Sequence, residues 1–220
     1  RSSFKVAGQV IERTQSADVF EKLCEEFGLV YYIDVLGRHS VKLLDYSATP
    51  CTTLGMSDFK DPLGSIVVSQ TPREAVINSI RVYYDKNRWT DEYKKVAYCN
   101  KDGASGSIAA GYVTRCSDSY DELGEREQLY EVFCDWVNDE ATAELVLQWY
   151  LDWNYCQRHI VECEAFMDHY GLEMGDCVEL DLPLLLPASM TAASRFMVIS
   201  KTLSELGTVS LTLLEVKAPV

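Results

Sequence analysis

Trp136-Val-Asn-Asp-Glu-Ala-Thr-Ala-Glu-Leu-Val-Leu-Gln-Trp-Tyr-Leu-Asp-Trp-Asn-Tyr155 reads as one long helix over 139–154, with Asn138 or Asp139 placed to accept from its first free amides. The helix is apolar on two sides. Ala143, Val146, Leu147 and Tyr150 recur at helical spacing on one, and Leu145, Trp149 and Trp153, four residues apart, line another. One apolar face is enough to dock a helix on a sheet. Burying a Trp side chain contributes roughly 1.5–3 kcal/mol or more, so a second face carrying two of them needs cover. The helix therefore lies between a sheet and either a second domain or a neighbouring subunit, unless both faces are internal core. A strand over 159–167, a turn over 169–176 and a returning strand from Cys177 follow.

Outward from the helix, 14–28 is amphipathic, with Thr14 or Ser16 as cap, Val19, Phe20, Leu23, Cys24 and Phe27 as its buried stripe, and Gly28 as its stop. Residues 29–35 and 40–46 form a hairpin across 36–39. The segment 48–63 has Pro50, Gly55 and Pro62 and no clear period, and is read as a linker. It separates a helix-plus-hairpin domain, 1–62, from a strand-rich domain, 63–220. Strands are expected over 65–70, 76–84 and 92–99, with Ile80, Val82 and Tyr84 on one face, then a Gly- and Ser-rich loop over 100–111, a helical turn at 119–124 and a half-buried strand over 126–137. Four more strands, 160–167, 177–182, 194–203 and 208–216, complete the chain, with hairpin positions at Gly175-Asp176 and Leu206-Gly207. An apolar loop, 183–193, carries Leu184, Leu185, Leu186 and Met190 and is either a plug of the sheet or an exposed binding surface.

The formal charge of −14 across 220 residues argues against tight binding of nucleic acid, which needs local Lys and Arg in excess. No apolar run is long enough for a membrane span, and no secretory signal precedes the first strand-like residues, although the chain opens at Arg1 and reads as a possible fragment. The eight cysteines form no C-x-x-C pair and fall in apolar-patterned elements, as reduced thiols of a protein made in a cytoplasm.

Chemistry finds little support. Cys156-x-x-His159-x-x-x-Cys163, with His169 and Cys177 beyond it, is the nearest approach to a zinc set, but the expected elements separate these ligands. A thiol nucleophile at Cys156 would sit at a helix C-terminus, whose dipole disfavours the thiolate. Acidic pairs such as Glu25-Glu26 and Glu162-x-Glu164 read as solvated faces. The Gly-rich loop lacks the Lys-Ser/Thr that phosphate binding requires. The chain thus reads as a non-enzyme without cofactor, catalytic residue or metal ligand. The alternatives are a zinc- or Cys-dependent enzyme around Cys156, His159 and Cys163, and a sugar-binding β module using the four Trp and thirteen Tyr.

Several segments, in this order and spacing, resemble the hub proteins of bacteriophage tails, also called baseplate hub or tail tip proteins. They are Ala17-Asp-Val-Phe-Glu-Lys-Leu-Cys-Glu-Glu-Phe-Gly28 before Tyr31-Tyr-Ile-Asp-Val-Leu-Gly-Arg-His39, then Val76-Ile-Asn-Ser-Ile-Arg-Val-Tyr-Tyr84, Ser119-Tyr-Asp-Glu-Leu-Gly-Glu-Arg126, Asn138-Asp-Glu-Ala-Thr-Ala143 and Leu172-Glu-Met-Gly-Asp-Cys-Val178. The resemblance implies an α+β, β-rich fold of antiparallel barrel-like or sandwich domains with packed helices. It further implies a structural virion protein of the tail tip, assembled in the host cytoplasm as a homotrimeric ring that meets tail tube, distal tail, tape measure and fibre proteins. A ring interface would give Leu145, Trp149 and Trp153, and the loop at Leu184, Leu185 and Leu186, their partner. An acidic lumen would let DNA pass without sticking.

Overall fold

Strand alternation and helical stripes sort the chain into three helices and twelve strands among the residues that the computed structural model describes, 5–6, 15–182, 194–204 and 207–217. In chain order these are α1 (Ser16–Phe27), β1 (Leu29–Ile33), β2 (His39–Leu43), β3 (Thr52–Gly55), β4 (Val67–Gln70), β5 (Ser79–Asn87), β6 (Glu92–Asn100), β7 (Gly103–Ala104), α2 (Ala110–Glu122), β8 (Leu129–Phe133), α3 (Glu140–Asn154), β9 (His159–Phe166), β10 (Cys177–Asp181), β11 (Arg195–Leu203) and β12 (Thr208–Val216). The fold is α+β and rich in strands, as the sequence implies, with no closed barrel among the described residues. None of the described helices is long and apolar enough to cross a membrane. Packing divides the chain into two units, whose boundaries fall at 29/30, 71/72 and 157/158.

The first unit, which holds residues up to Leu29 and 72–157, is built on a mixed sheet of order β7-β6-β5-β8. β5 and β6 pair antiparallel and β5 and β8 parallel. Ile80, Val82 and Tyr84 of β5, Ala97 and Cys99 of β6 and Val132 of β8 turn one face of this sheet toward α2 and α3, and Phe27 at the end of α1 joins the same core. Asn78 fixes the entry to β5: its amide donates to Arg126 O at 2.8 Å and its carbonyl accepts from Gln128 N at 2.7 Å. The helical turn expected at 119–124 is the last part of α2, a helix of thirteen residues. Gly111, Val113, Thr114, Ser117 and Ser119 are weak helix formers, so α2 exists through tertiary burial of Arg115, Cys116 and Ser119. The strand expected over 126–137 shortens to β8. α1 starts at Ser16 with Gln15 as an N-cap that supplies no side-chain bond, and Phe20 of its expected stripe is exposed.

The second unit holds 30–71 and 158–219. The β1–β2 hairpin is as read from the sequence. The segment 48–63 is no linker: Leu54 and Phe59 are buried core, and β3 pairs parallel with β10. The six-stranded sheet has the order β3-β10-β11-β12-β9-β4. β9 and β10 are therefore not a hairpin. Gly175, at φ +77°, turns the chain so that its N–H donates to Val198 O at 2.8 Å, which sends β10 to β11 instead. β11 and β12 form the expected hairpin through Gly207. One short segment serves both edges: residues 52–55 pair with β10, and a few residues later Phe59 bridges Ala165 while Lys60 N donates to Glu164 O of β9.

Candidate assembly surface

α3 begins where the sequence places it. The Asp139 carboxylate accepts from Thr142 N at 3.1 Å, and Ala143, Val146, Leu147 and Leu151 are buried against the sheet. The opposite flank carries the residues singled out above. Trp153 is buried within the chain at 6% exposure, while Leu145 and Trp149 are half-buried. Trp149 stands edge-on to Tyr150 at 5.0 Å and 6.4 Å from Trp153. Its indole also lies directly over Gly28, where a Cβ would come within 2.2 Å of the ring. Gly28 thus has two reasons to be glycine: its φ of +62° ends α1, and the indole occupies the space of any side chain. Leu184, Leu185 and Leu186 lie outside the described residues.

The face of the first unit's sheet turned away from α2 and α3 was not apparent from the sequence, because β5 announced only its core side. Arg81 and Tyr83 of β5, Val96 and Tyr98 of β6, and Leu129, Glu131 and Phe133 of β8 share it by register. Val96, Tyr98, Leu129 and Phe133 are each 42–50% exposed. Tyr83 and Phe133 stack at 4.9 Å with planes 8° apart, and Tyr93 tilts onto Phe133 at 5.5 Å. The Tyr83 hydroxyl donates to Glu131 at 2.8 Å, with Arg81 3.9 Å from the same carboxylate. A shallow, open concavity crosses this face between β5 and β6. An exposed aromatic patch of this kind is suited to bind a protein surface.

Beside the aromatic patch lies a charge network that the sequence concealed. Glu26, read as half of a solvated acidic pair, is buried at 4% exposure. Its carboxylate accepts from Asp135 N at 2.8 Å and Trp136 N at 3.2 Å, tying α1 to the chain after β8. Burial raises this carboxyl to about 7 despite those two amides. Burial works against the Asp135 carboxylate as well, but hydrogen bonds from Lys22, Tyr93 and Lys86 prevail and hold it at about 2. A second buried pair, Arg115 with Asp152, joins α2 to α3, and Tyr112 donates to the same Asp152 at 3.0 Å.

Two of the residues that suggested chemistry, His159 and Cys163, have structural partners. His159 Nδ1 is 2.9 Å from Glu215 Oε2 and its Nε2 is 2.9 Å from Gln70 Nε2. The Cys163 thiol is directed to Leu211 O, and burial pushes it up to about 12. Among the described residues no three of His, Cys, Asp and Glu gather as a metal site would require. In the Gly- and Ser-rich loop, Ser107 donates its N–H and hydroxyl to Glu144 at 2.8 and 2.6 Å. A carboxylate fills the place where an anion would have to bind.

No protein family and no curated protein matches the chain by sequence. Solved structures do match it by fold. A chain from the virion of a native gene transfer agent particle superposes with a TM-score of 0.58 at 12% identity, covering 94% of this chain and 42% of that one. The tail protein from Neisseria meningitidis MC58 gives 0.52 at 12% identity over 96% of this chain and 57% of its own. The chain shares the fold of these two structures. A 43 kDa tail protein of prophage MuSo2 from Shewanella oneidensis gives 0.50 at 12% identity, covering 97% of this chain and 61% of that protein. The chain spans about half the length of these structures.

Proposed function

We propose that the chain is a structural, non-enzymatic component of a phage tail. Its place is the hub or tip, where copies close into a trimeric ring that joins the tail tube to the distal tip or fibre. The observation that carries this reading is the likeness of nearly the whole chain in fold to tail and virion proteins. A head-to-tail ring contact needs two different patches on each copy. The first unit offers two on opposite sides of one layer: the flank of α3 at Leu145 and Trp149, and the bare sheet face at Tyr98, Leu129 and Phe133. Trp153 supports the first patch from beneath, and the apolar sequence at Leu184, Leu185 and Leu186 is a third candidate for contact with tail partners.

The test is native mass spectrometry over a concentration series, with wild type beside Phe133→Asp. A metal-free trimer that Phe133→Asp converts to monomer, with an unchanged far-UV spectrum, is the expected result. A wild-type monomer at every concentration, or one carrying stoichiometric zinc, would overturn the reading.

A further inference from the structure

Two buried thiols meet in the first unit. Cys99 lies on β6, on the sheet face that packs under the helices, and Cys116 lies on α2. Both are 0% exposed, with their sulfurs 3.9 Å apart. Joining them requires closing from 3.9 Å to the roughly 2 Å of a disulfide bond, a movement shared between two side chains. Their positions in the chain give such a bond an effect. Seventeen positions separate them, and the intervening chain is β7 followed by the Gly- and Ser-rich segment leading into α2. A bond here would close that segment into a loop and fasten β6, an inner strand of the sheet, to a helix whose own propensity is weak.

We propose that Cys99 and Cys116 form an oxidative modification site. The chain folds with both as thiols, and a small disulfide of the glutathione class then joins them. The Cys99 thiolate attacks one sulfur of the small disulfide, whose S–S bond breaks and releases one thiolate. The Cys116 thiolate then attacks the Cys99 sulfur and expels the second. Two protein thiols are oxidised, one small disulfide is reduced to two thiols, and the two protons lost by the protein are taken up by the released thiolates. The exchange balances whichever of the two sulfurs attacks first, since either thiol can donate in their contact. The hydrogen bond from Cys116 holds the Cys99 thiol below its ordinary value, while the same contact and burial push Cys116 well above its own. Since both sulfurs are buried, the rate follows local opening of the 100–109 segment, and the reaction is slow compared with that of an exposed thiol.

The experiment uses the full chain, purified under reductant and then held in oxidised glutathione before denaturation in iodoacetamide. A non-reducing tryptic map is expected to show the Cys99 and Cys116 peptides joined, while exposed thiols such as Cys51 carry glutathione or the alkyl group. The oxidised protein should melt several degrees above the reduced one, as closure of a loop of this length predicts. In Cys116→Ser the first exchange cannot be resolved, so Cys99 should carry one glutathione, no joined peptide should appear and the thermal shift should vanish. Alkylated Cys99 and Cys116 after oxidation overturn the proposal. So does a bridge mapped to Cys51 and Cys177, whose backbones meet on adjacent strands, while Cys99 and Cys116 remain alkylated. Should Cys116→Ser fail to fold, the wild-type peptide map decides alone.

Discussion

Replacing Gly28 with Ala tests how α1 is attached, because two separable costs meet at one atom. The first is conformational. At φ +62° an L-residue costs about 1–2 kcal/mol, partly offset by the stiffer unfolded chain, about 0.4–1 kcal/mol. The second is steric. The new Cβ falls 2.2, 2.4 and 2.7 Å from three atoms of the Trp149 indole, so the ring must retreat by more than an ångström from its packing on Tyr150. Such overpacking typically costs about 1–3 kcal/mol. The net expectation is a loss of about 2–4 kcal/mol. In a Trp149→Ala background only the conformational cost remains, about 1 kcal/mol, which leaves a coupling of about 1–3 kcal/mol between the two positions. All four tryptophans lie within 72–157, so urea unfolding followed by tryptophan fluorescence reports the first unit alone, and three tryptophans remain in the double variant. A Gly28→Ala cost that is the same in the wild-type and Trp149→Ala backgrounds would refute the reasoning, since the indole could not then be what the methyl meets.

The buried charges give further tests. Glu26 is raised from 4.5 to about 7, so the folded state disfavours its charge. Its contribution is fully present below pH 4.5 and is lost as pH rises toward 7, by ~3 kcal/mol. Glu26→Gln should flatten the fluorescence-monitored midpoint across that window, and parallel profiles for variant and wild type would exclude the assignment. Asp135, held at about 2, has the opposite sign: its contribution is present above the ordinary value of 3.8 and is lost as pH falls toward 2. Asp152→Ala should cost roughly 3–5 kcal/mol by leaving Arg115 buried without its carboxylate, and Arg115→Met with Asp152→Leu should cost much less, both read from urea midpoints. Asp139→Ala, which removes the bond to Thr142 N, should cost about 1 kcal/mol.

Local signals were legible in the sequence and distant ones were not. The start of α3 is written in Asp139 and the apolar spacing after it, and β11–β12 in alternation around a glycine turn. By contrast, β3 meets β10 in parallel register across more than a hundred residues, Thr52 opposite Val178, and a parallel partner at that distance leaves no mark in either strand. α2 was largely hidden because its residues are poor helix formers held by burial. Of the candidate surface, the α3 flank could be read from Leu145, Trp149 and Trp153. The sheet face could not, since Leu129 and Phe133 look like core until register assigns them to the side without helices. Glu26 was concealed by its neighbour Glu25, which is the exposed member of the pair.

The division of the chain also sets an order of events during synthesis. Residues 72–157 of the first unit are interposed between the two halves of the second. Once Gln157 has left the ribosome, every strand and helix of the first unit is available to fold. β3 and β4 have by then been waiting, for β10 and β9 have not yet been made. Each of the waiting strands is only four residues long, too short to template pairing with another nascent chain. The shortness of these two strands thus protects an intermediate that every translated copy passes through, at the stage when copies on one message are most crowded together.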